Sequence, residues 1–311
     1  MKIRNFLLAI SAATALSISA KSDCELHITV AHIEQGEEVP EQTEDYLLTR
    51  LTNVVTASGV TGDDSYSQFF ITGKFNHIYQ DVVPGPPMQN VLRTSLTLYI
   101  GDLNSKKVFS SASFELRGVG TSDQRAFINA LSSITARNAE FNKFLEAGKT
   151  KIIAYFDANY QQILAQAKRA AAMNNYEEAL FHATQIPSCS KGYAEAEQVT
   201  LTIFQEYIDY YGVQLLTAAQ AAWAAGHDLD AARKALELLL QIDPDSRAYP
   251  SAQKLLAEIK ASIKDDRDFE LRQKYYDSVD IERRKIEAAR AVGVAFGNGQ
   301  QPTTTYINWI R

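Results

Sequence analysis

The side chains best suited to chemistry in this sequence are five histidines, and their spacing decides what they could do. A metal site on a helix or a turn needs two such ligands close enough along the chain to reach one ion. No two of the histidines have that spacing, and no pair of cysteines replaces them. We therefore predict no metal ion and interpret each histidine as a strand or surface residue. The histidines are His27, His32, His77, His182 and His227.

The glycine pair in Gly118-Val119-Gly120 precedes a predicted helix and comes nearest to a dinucleotide-binding loop. That loop requires a third glycine, but Asp123 stands in its place, where a carboxylate would repel a pyrophosphate. The preceding strand also belongs to a predicted hairpin and not to a βαβ unit. We expect the glycines to permit a tight turn into the helix N-terminus, and we predict no cofactor.

Other catalytic patterns are missing from the sequence. It has no Gly-x-Ser-x-Gly motif and no phosphate-binding Gly-Lys-Ser/Thr loop. The paired acids Glu37-Glu38, Glu177-Glu178 and Asp265-Asp266 lie in predicted turns or on solvated helix faces. The sequence therefore predicts a protein that is not an enzyme and has no small-molecule substrate. An envelope enzyme whose site is assembled from distant residues is a second alternative.

The charge balance bears on the kind of partner. The chain has 31 basic and 37 acidic residues, a net charge of −6, and no basic cluster. Nucleic-acid binding depends mostly on neutralising phosphates with lysine and arginine. We therefore expect no nucleic-acid partner.

Residues 1–20 have the pattern of a secretory signal peptide. Lys2 and Arg4 precede an apolar or small run from Phe6 to Ser19, and Ala20 is a small residue at the expected cleavage point. This run is too short to cross a bilayer, and no later segment approaches ~20 uninterrupted apolar residues. The sequence predicts an exported protein with no transmembrane segment in the mature chain.

The chain has two cysteines, Cys24 and Cys189. Lys21-Ser22-Asp23 differs from the small and aliphatic residues of a lipoprotein-processing site, so we predict no lipid on Cys24. A chain of this size with two cysteines does not depend on a disulfide framework. In an oxidising compartment the two could pair, but we expect two separate thiols.

Residues 24–147 predict an α+β domain with a small mixed or antiparallel sheet and two helices. Several segments alternate apolar and polar residues and are rich in β-branched side chains, as half-buried strands are. We expect strands at 25–33, 68–79, 92–100 and 107–117 and helices at 43–57 and 122–146. Both helices are expected on one face of the sheet. The element order resembles the periplasmic domain shared by the curli secretion-channel family and the outer-membrane activators of peptidoglycan synthases.

Residues 150–292 predict an all-helical domain that contains two similar helical hairpins. Ile163 to Pro187 and Leu215 to Pro244 each have the pattern of an alanine-rich helix, a polar turn, a second helix and a proline. The pattern resembles the tetratricopeptide repeat, carried by Ala167, Tyr176, Ala179 and Pro187 in the first copy and by Ala219, Leu229, Ala232 and Pro244 in the second. The two turns are 53 residues apart, against about 34 in a tandem array. We therefore predict an extra helix at 194–211, with an unrelated helical bundle as the alternative.

The chain beyond residue 250 supplies the candidate partner-binding residues. A predicted helix at 251–291 is longer than one small core covers, so it packs across both domains or exposes apolar residues to a partner; a break near Asp265-Asp266 is the alternative. The tail at 293–311 ends in large apolar residues, which either fold back on the chain or bind a partner. The predicted partner-binding residues are Tyr276, Val279, Phe296, Tyr306, Trp309 and Ile310.

The segment from Gly293 to Pro302 and the loop Pro84-Gly85-Pro86-Pro87 resemble an uncharacterised protein group of gut Bacteroidota and their crAss-like phages. For a phage protein this resemblance implies a virion component. As a whole, the sequence predicts an exported scaffold or adaptor that acts by protein–protein contacts or self-association in the cell envelope, in the periplasm or at the outer membrane. The alternative is a structural or assembly protein of a phage virion, in its ring or tail.

Overall fold

The structure is a computed structural model that describes residues 26–31, 39–57, 67–263 and 288–294. Its strands are β1 (Ile28–Val30), β2 (Phe69–Val83), β3 (Gln89–Asp102) and β4 (Lys107–Gly120). Its helices are α1 (Glu41–Ala57), α2 (Asp123–Leu131), α3 (Ala139–Ala172), α4 (Tyr176–Thr184), α5 (Tyr193–Ala224), α6 (Leu229–Leu239) and α7 (Tyr249–Ser262). Residues 288–294 are also helical.

The strands form one mixed sheet in the order β1-β2-β3-β4, which confirms the predicted α+β class. β1 runs parallel to β2, and the other neighbours are antiparallel. Leu92, Leu96, Leu98 and Ile100 of β3 lie on one face and are buried, while the residues between them are mostly less buried. This alternation, with its period of two, is the sequence pattern that predicted the strand.

The second and third strands are longer than predicted because their pairing continues almost to the connecting loop. The ladder extends to Val83 opposite Gln89, and Pro84-Gly85-Pro86-Pro87 lies in the loop beyond it. Side chains from Tyr79 to Met88 are exposed on both faces. The end of this hairpin therefore projects beyond the helices that cover the rest of the sheet.

The predicted helix over 122–146 is wrong, because α2 ends at Leu131. The hydroxyls of Ser132 and Ser133 donate to the carbonyl oxygens of Asn129 and Ala130 at 2.6 and 2.7 Å. Serine side chains that bond to nearby backbone compete with continued helical hydrogen bonding. The sequence pattern of residues 122–146 gave no sign of this interruption.

The next helix, α3, begins after Asn138 and continues to Ala172. The Asn138 carboxamide oxygen accepts from the backbone N–H of Glu140 at 2.9 Å, a typical N-cap. The division predicted between residues 147 and 150 therefore falls within one continuous helix. Gly148 of this helix packs on Ile100 of the sheet, where a Cβ would lie 2.5 Å from a methyl carbon.

The glycines Gly118 and Gly120 lie within β4, so the predicted tight turn is wrong. Both instead allow α2 to approach the strand closely. A Cβ at Gly118 would lie 1.9 Å from the carbonyl oxygen of Ala126, and one at Gly120 would lie 2.5 Å from the Ala126 nitrogen. The missing side chains thus permit backbone contact between a helix and a strand.

Two clusters of buried apolar side chains form the interior. The larger joins the sheet, α1 to α4 and the first half of α5, and it includes Phe127 and Phe156, which have 0% and 1% exposure. The smaller joins the second half of α5 with α6 and α7 around Trp223 and Ile259. The first helical hairpin thus shares its core with the sheet, whereas the second has a core of its own.

The prediction of a separate helix at 194–211 is wrong, because α5 continues without a break from Tyr193 to Ala224. Gly212, near its middle, would ordinarily favour an interruption. The loop after α6 packs on this glycine instead, and a Cβ there would lie 2.3 Å from the Ser246 hydroxyl. The extra residues therefore lengthen the first helix of the second hairpin.

The expectation of two separate thiols is also wrong, because Cys189 forms a disulfide bond. Cys189 lies in the loop between α4 and α5. The other cysteine of the chain, Cys24, lies outside the described residues. Of the predicted helix at 251–291, α7 accounts for the beginning, and residues 264–287 are outside the described part of the chain.

Candidate functional site

All six predicted partner-binding residues lie outside the described residues. They are Tyr276, Val279, Phe296, Tyr306, Trp309 and Ile310. The candidate site is therefore built from the helical hairpins that precede them.

The two hairpin turns share one backbone feature, a left-handed residue before the N-cap of the second helix. Asn174 and His227 both adopt the left-handed conformation, with φ of 61° and 51°, and each is followed by the N-cap of the second helix. Only the second N-cap, Asp228, accepts a backbone N–H with its side chain, from Ala231 at 2.8 Å. Tyr176 and Leu229, which the sequence comparison matched, are each the first residue of the helix after the turn.

A carboxylate on the first helix holds the end of the first hairpin. The Asp157 Oδ1 atom accepts hydrogen bonds from the Ser190 hydroxyl and from the Lys191 backbone N–H, both at 2.8 Å. The Ser190 oxygen in turn accepts from the N–H of Gly192 at 3.2 Å. The loop after α4 is thereby fixed to α3 just where α5 begins.

The second hairpin repeats this arrangement, with Asp209 in the place of Asp157. Asp209 Oδ1 accepts from the Arg247 backbone N–H at 2.7 Å, and the Ser246 oxygen accepts from the Ala248 N–H at 3.2 Å. Sequence reasoning missed this clasp. The signal was present in the similar loops Ser190-Lys191-Gly192-Tyr193 and Ser246-Arg247-Ala248-Tyr249, each following a proline.

Aromatic rings gather between the two hairpins, on α4 and the first half of α5. We call Tyr176, Tyr207, Tyr210 and Tyr211 the tyrosine cluster. The ring centroids of Tyr176 and Tyr210 are 5.4 Å apart, and those of Tyr207 and Tyr211 are 4.8 Å apart. Three of the four rings are half-buried and Tyr176 is buried. These contacts fix the rings while leaving part of their surface open to solvent.

Glutamates border the tyrosine cluster. The Tyr211 hydroxyl donates to Glu177 Oε1 at 2.9 Å. Burial, followed by this bond to a carboxylate, raises the pKa of Tyr211 to about 12. Burial also raises the pKa values of Tyr176 and Tyr207, and the negative charges of nearby glutamates add to the effect. The hydroxyls of Tyr176, Tyr207 and Tyr211 are therefore neutral at physiological pH, and glutamates lie beside them.

The histidines lie apart from one another wherever their side chains are described. His27 and His227 are exposed, whereas His182 is half-buried, and burial lowers its pKa despite Glu178 at 3.8 Å. Within the described ranges, no group of three histidine, cysteine or acidic side chains could hold a metal ion. Among those same residues, no helix is both long and apolar enough to cross a bilayer.

A cavity of about 490 Å³ lies where the sheet, the α4–α5 loop and the helical residues 288–294 meet. Its polar side chains already bond to other protein groups. Gln68 donates to Asp102 at 3.2 Å, and Arg290 donates to the Tyr193 hydroxyl. These two side chains are engaged within the fold, and we take the tyrosine cluster as the candidate site.

Comparison with known proteins gives structural matches only. No protein-family model matches the chain. No curated protein matches it. A minor lipoprotein from Acinetobacter baumannii is 16% identical, with a TM-score of 0.29 over 40% of this chain and 95% of its own. A PelC dodecamer from Paraburkholderia phytofirmans is 17% identical, with a TM-score of 0.26 over 37% of this chain and 89% of its own. No family follows from matches at this level.

Proposed function

We propose that this protein is an exported scaffold or adaptor of the cell envelope that binds a protein partner through the tyrosine cluster. The proposed export is supported by residues 1–20, which have the pattern of a signal peptide. The proposed binding is supported by one observation, a cluster of one buried and three partly exposed tyrosines in contact between two helical hairpins.

Tyrosine suits protein interfaces for physical reasons. Its ring offers a large apolar area, its hydroxyl finds a partner at the wet edge, and it has few torsions to immobilise. In this protein the rings already contact one another, so binding would cost little additional side-chain entropy. The bond from Tyr211 to Glu177 fixes one hydroxyl before any partner arrives.

The border of the cluster indicates the chemistry of the partner. Within the described residues, two of the three charged groups that act on these tyrosines are acidic: Glu177 on α4, which is half-buried, and Glu206 on α5, which is exposed; the third is Arg247. The negative charges of the two glutamates favour a partner segment that combines aliphatic or aromatic side chains with lysine or arginine.

Site-specific photo-crosslinking tests the proposal in the native cell. Tyr210 is replaced by the photoreactive amino acid p-benzoylphenylalanine in the full-length chain, and the control replaces Gln198 in the same way. Gln198 is exposed and, by the helical period, lies on the opposite side of α5. We expect ultraviolet light to give a specific adduct from position 210 and none from position 198.

Failure would be clear in the same experiment. Equal expression of both variants without an adduct from position 210 would contradict binding at the cluster. Fractionation of the same cells tests export, since deletion of residues 2–20 should leave the protein in the cytoplasm. A full-length chain that also stays in the cytoplasm would contradict the envelope location.

A further inference from the structure

The outer edge of β4 has no strand beside it among the residues that the structure describes. β4 is 14 residues long and is the last strand in the sheet order, paired with β3 on its other side. Long edge strands carry free main-chain donors and acceptors, and proteins usually cover or interrupt them. This edge contains no proline, and its side chains from Ser111 to Val119 are exposed at every second position.

One hydrogen bond shows which main-chain groups face outward. The Val119 N–H points away from β3 and donates to the Asn129 side chain at 3.1 Å. Because donors in an antiparallel strand alternate in direction, the main-chain groups of Arg117 and Glu115 also point away from β3. Asn129 therefore satisfies the edge at Val119 and leaves it open at the two charged residues.

The charges on this strand are unbalanced. Arg117 lies directly opposite Arg93 of β3, and like charges in that position destabilise a sheet. Within the described ranges, no ion pair or side-chain hydrogen bond involves either arginine. Glu115 is exposed on the same face, two residues from Arg117.

We propose that β4 pairs with β4 of a second copy, antiparallel and about a twofold axis through Leu116. In this register Glu115 lies opposite Arg117 of the second copy, and the symmetry forms the same pair twice. Each pair exchanges both of its main-chain hydrogen bonds. The second copy thereby places a carboxylate directly opposite Arg117, whose other cross-strand neighbour is Arg93.

The alternating charges select this register over its neighbours. An axis through Glu115 would place that residue opposite its own copy, and an axis through Arg117 would do the same for the arginine. Both arrangements put like charges side by side. A shift by a single residue would instead oppose outward-facing and inward-facing main-chain groups.

Charge reversal of the full mature chain tests the pairing by sedimentation equilibrium at low salt. The wild type is expected to form a dimer. Glu115→Arg and Arg117→Glu should each weaken it by about tenfold or more, because each creates two like-charged pairs. The double variant E115R/R117E restores opposite charges and should recover the dimer. Lys74→Glu, an exposed change on β2 away from the edge, is the matched control.

Circular dichroism should show the same fold for all variants, because both side chains are exposed. A wild type that stays monomeric up to high micromolar concentration overturns the proposal. A double variant no stronger than the single variants overturns the register. The inference does not depend on the tyrosine cluster, since neither residue lies on α4 or α5.

Discussion

The two helical hairpins share one frame but differ in what fills it. Each has a left-handed residue at the turn and an aspartate that holds the following loop. The first hairpin packs on the sheet, and its second helix, α4, forms the tyrosine cluster together with α5. The second hairpin has a small core of its own that is rich in alanine. The comparison indicates that the left-handed turn residue and the aspartate bonds are repeated, whereas the side chains that pack around them differ between the hairpins.

The contact between the first helix of each hairpin and the following loop differs between the hairpins: a tyrosine faces a glycine in the first, and a glycine faces an alanine in the second. In the first, Tyr160 of α3 lies against Gly192, where a Cβ would be 2.3 Å from the ring. In the second, Gly212 of α5 lies against Ala248, where a Cβ on the glycine would be 3.3 Å from the alanine Cβ. In both hairpins the loop contacts the helix. The larger side chain of the contact is on the helix in the first hairpin and on the loop in the second.

The largest effect is expected from Trp223→Ala, which removes the main side chain of the second core. Its exposure is 3%, so the change should cost about 3–5 kcal/mol of stability. Because the two clusters are separate, hydrogen exchange should accelerate in α6 and α7 more than in the sheet. Uniform acceleration over the whole chain would contradict the separation. Leu240→Ala, an exposed change nearby, is the control.

The contact between Tyr160 and Gly192 predicts that mutations at these two positions are energetically coupled. Gly192→Ala alone should destabilise by about 1–3 kcal/mol, because the new methyl group meets the ring. Adding Tyr160→Gly reproduces the combination of the second hairpin, and although Tyr160→Gly is itself destabilising, Gly192→Ala should cost less in its presence than in the wild type. Urea unfolding of the four proteins gives the coupling free energy. A purely additive result would contradict the correspondence between the hairpins.

The aspartate clasps should differ in strength. Asp157→Ala removes an acceptor of two short hydrogen bonds and is expected to cost about 1–3 kcal/mol. Asp209→Ala should cost less, because its second bond, from Gln205, is longer at 3.3 Å. Asp157→Asn retains an acceptor and serves as the control in thermal unfolding. Equal losses at both positions would show that the longer bond contributes as much as the shorter one.

The smallest effect concerns Tyr211 and alkaline pH. Its pKa is raised from 10.0 to about 12, so the folded protein holds the proton more tightly than the unfolded chain does. The resulting stabilisation is complete below pH 10 and is lost as the pH rises toward 12. Tyr211→Phe should therefore show a smaller fall in stability over that range than the wild type. Identical slopes would contradict the contribution of Tyr211.

Sequence patterning predicted the strands and most helices because each buries one face with a regular period. It failed at Ser132 and Gly212, where local side-chain bonding or packing from a distant loop decided whether a helix stopped or continued. The disulfide of Cys189 was missed because sequence separation does not report spatial distance. The tyrosine cluster was missed because its members are spread over 36 positions, counted from Tyr176 to Tyr211 inclusive, and meet only when α4 packs on α5.

The continuity of α3 has a mechanical consequence. Its 34 residues span about 51 Å, and it contacts the sheet near its beginning and α4 near its end. Because this continuous helix packs on both the sheet and α4, there is no hinge between the sheet and the first hairpin at residues 147–150. A displacement of the tyrosine cluster would therefore be transmitted to the sheet as a rotation about the axis of α3 or as a tilt of the whole helix.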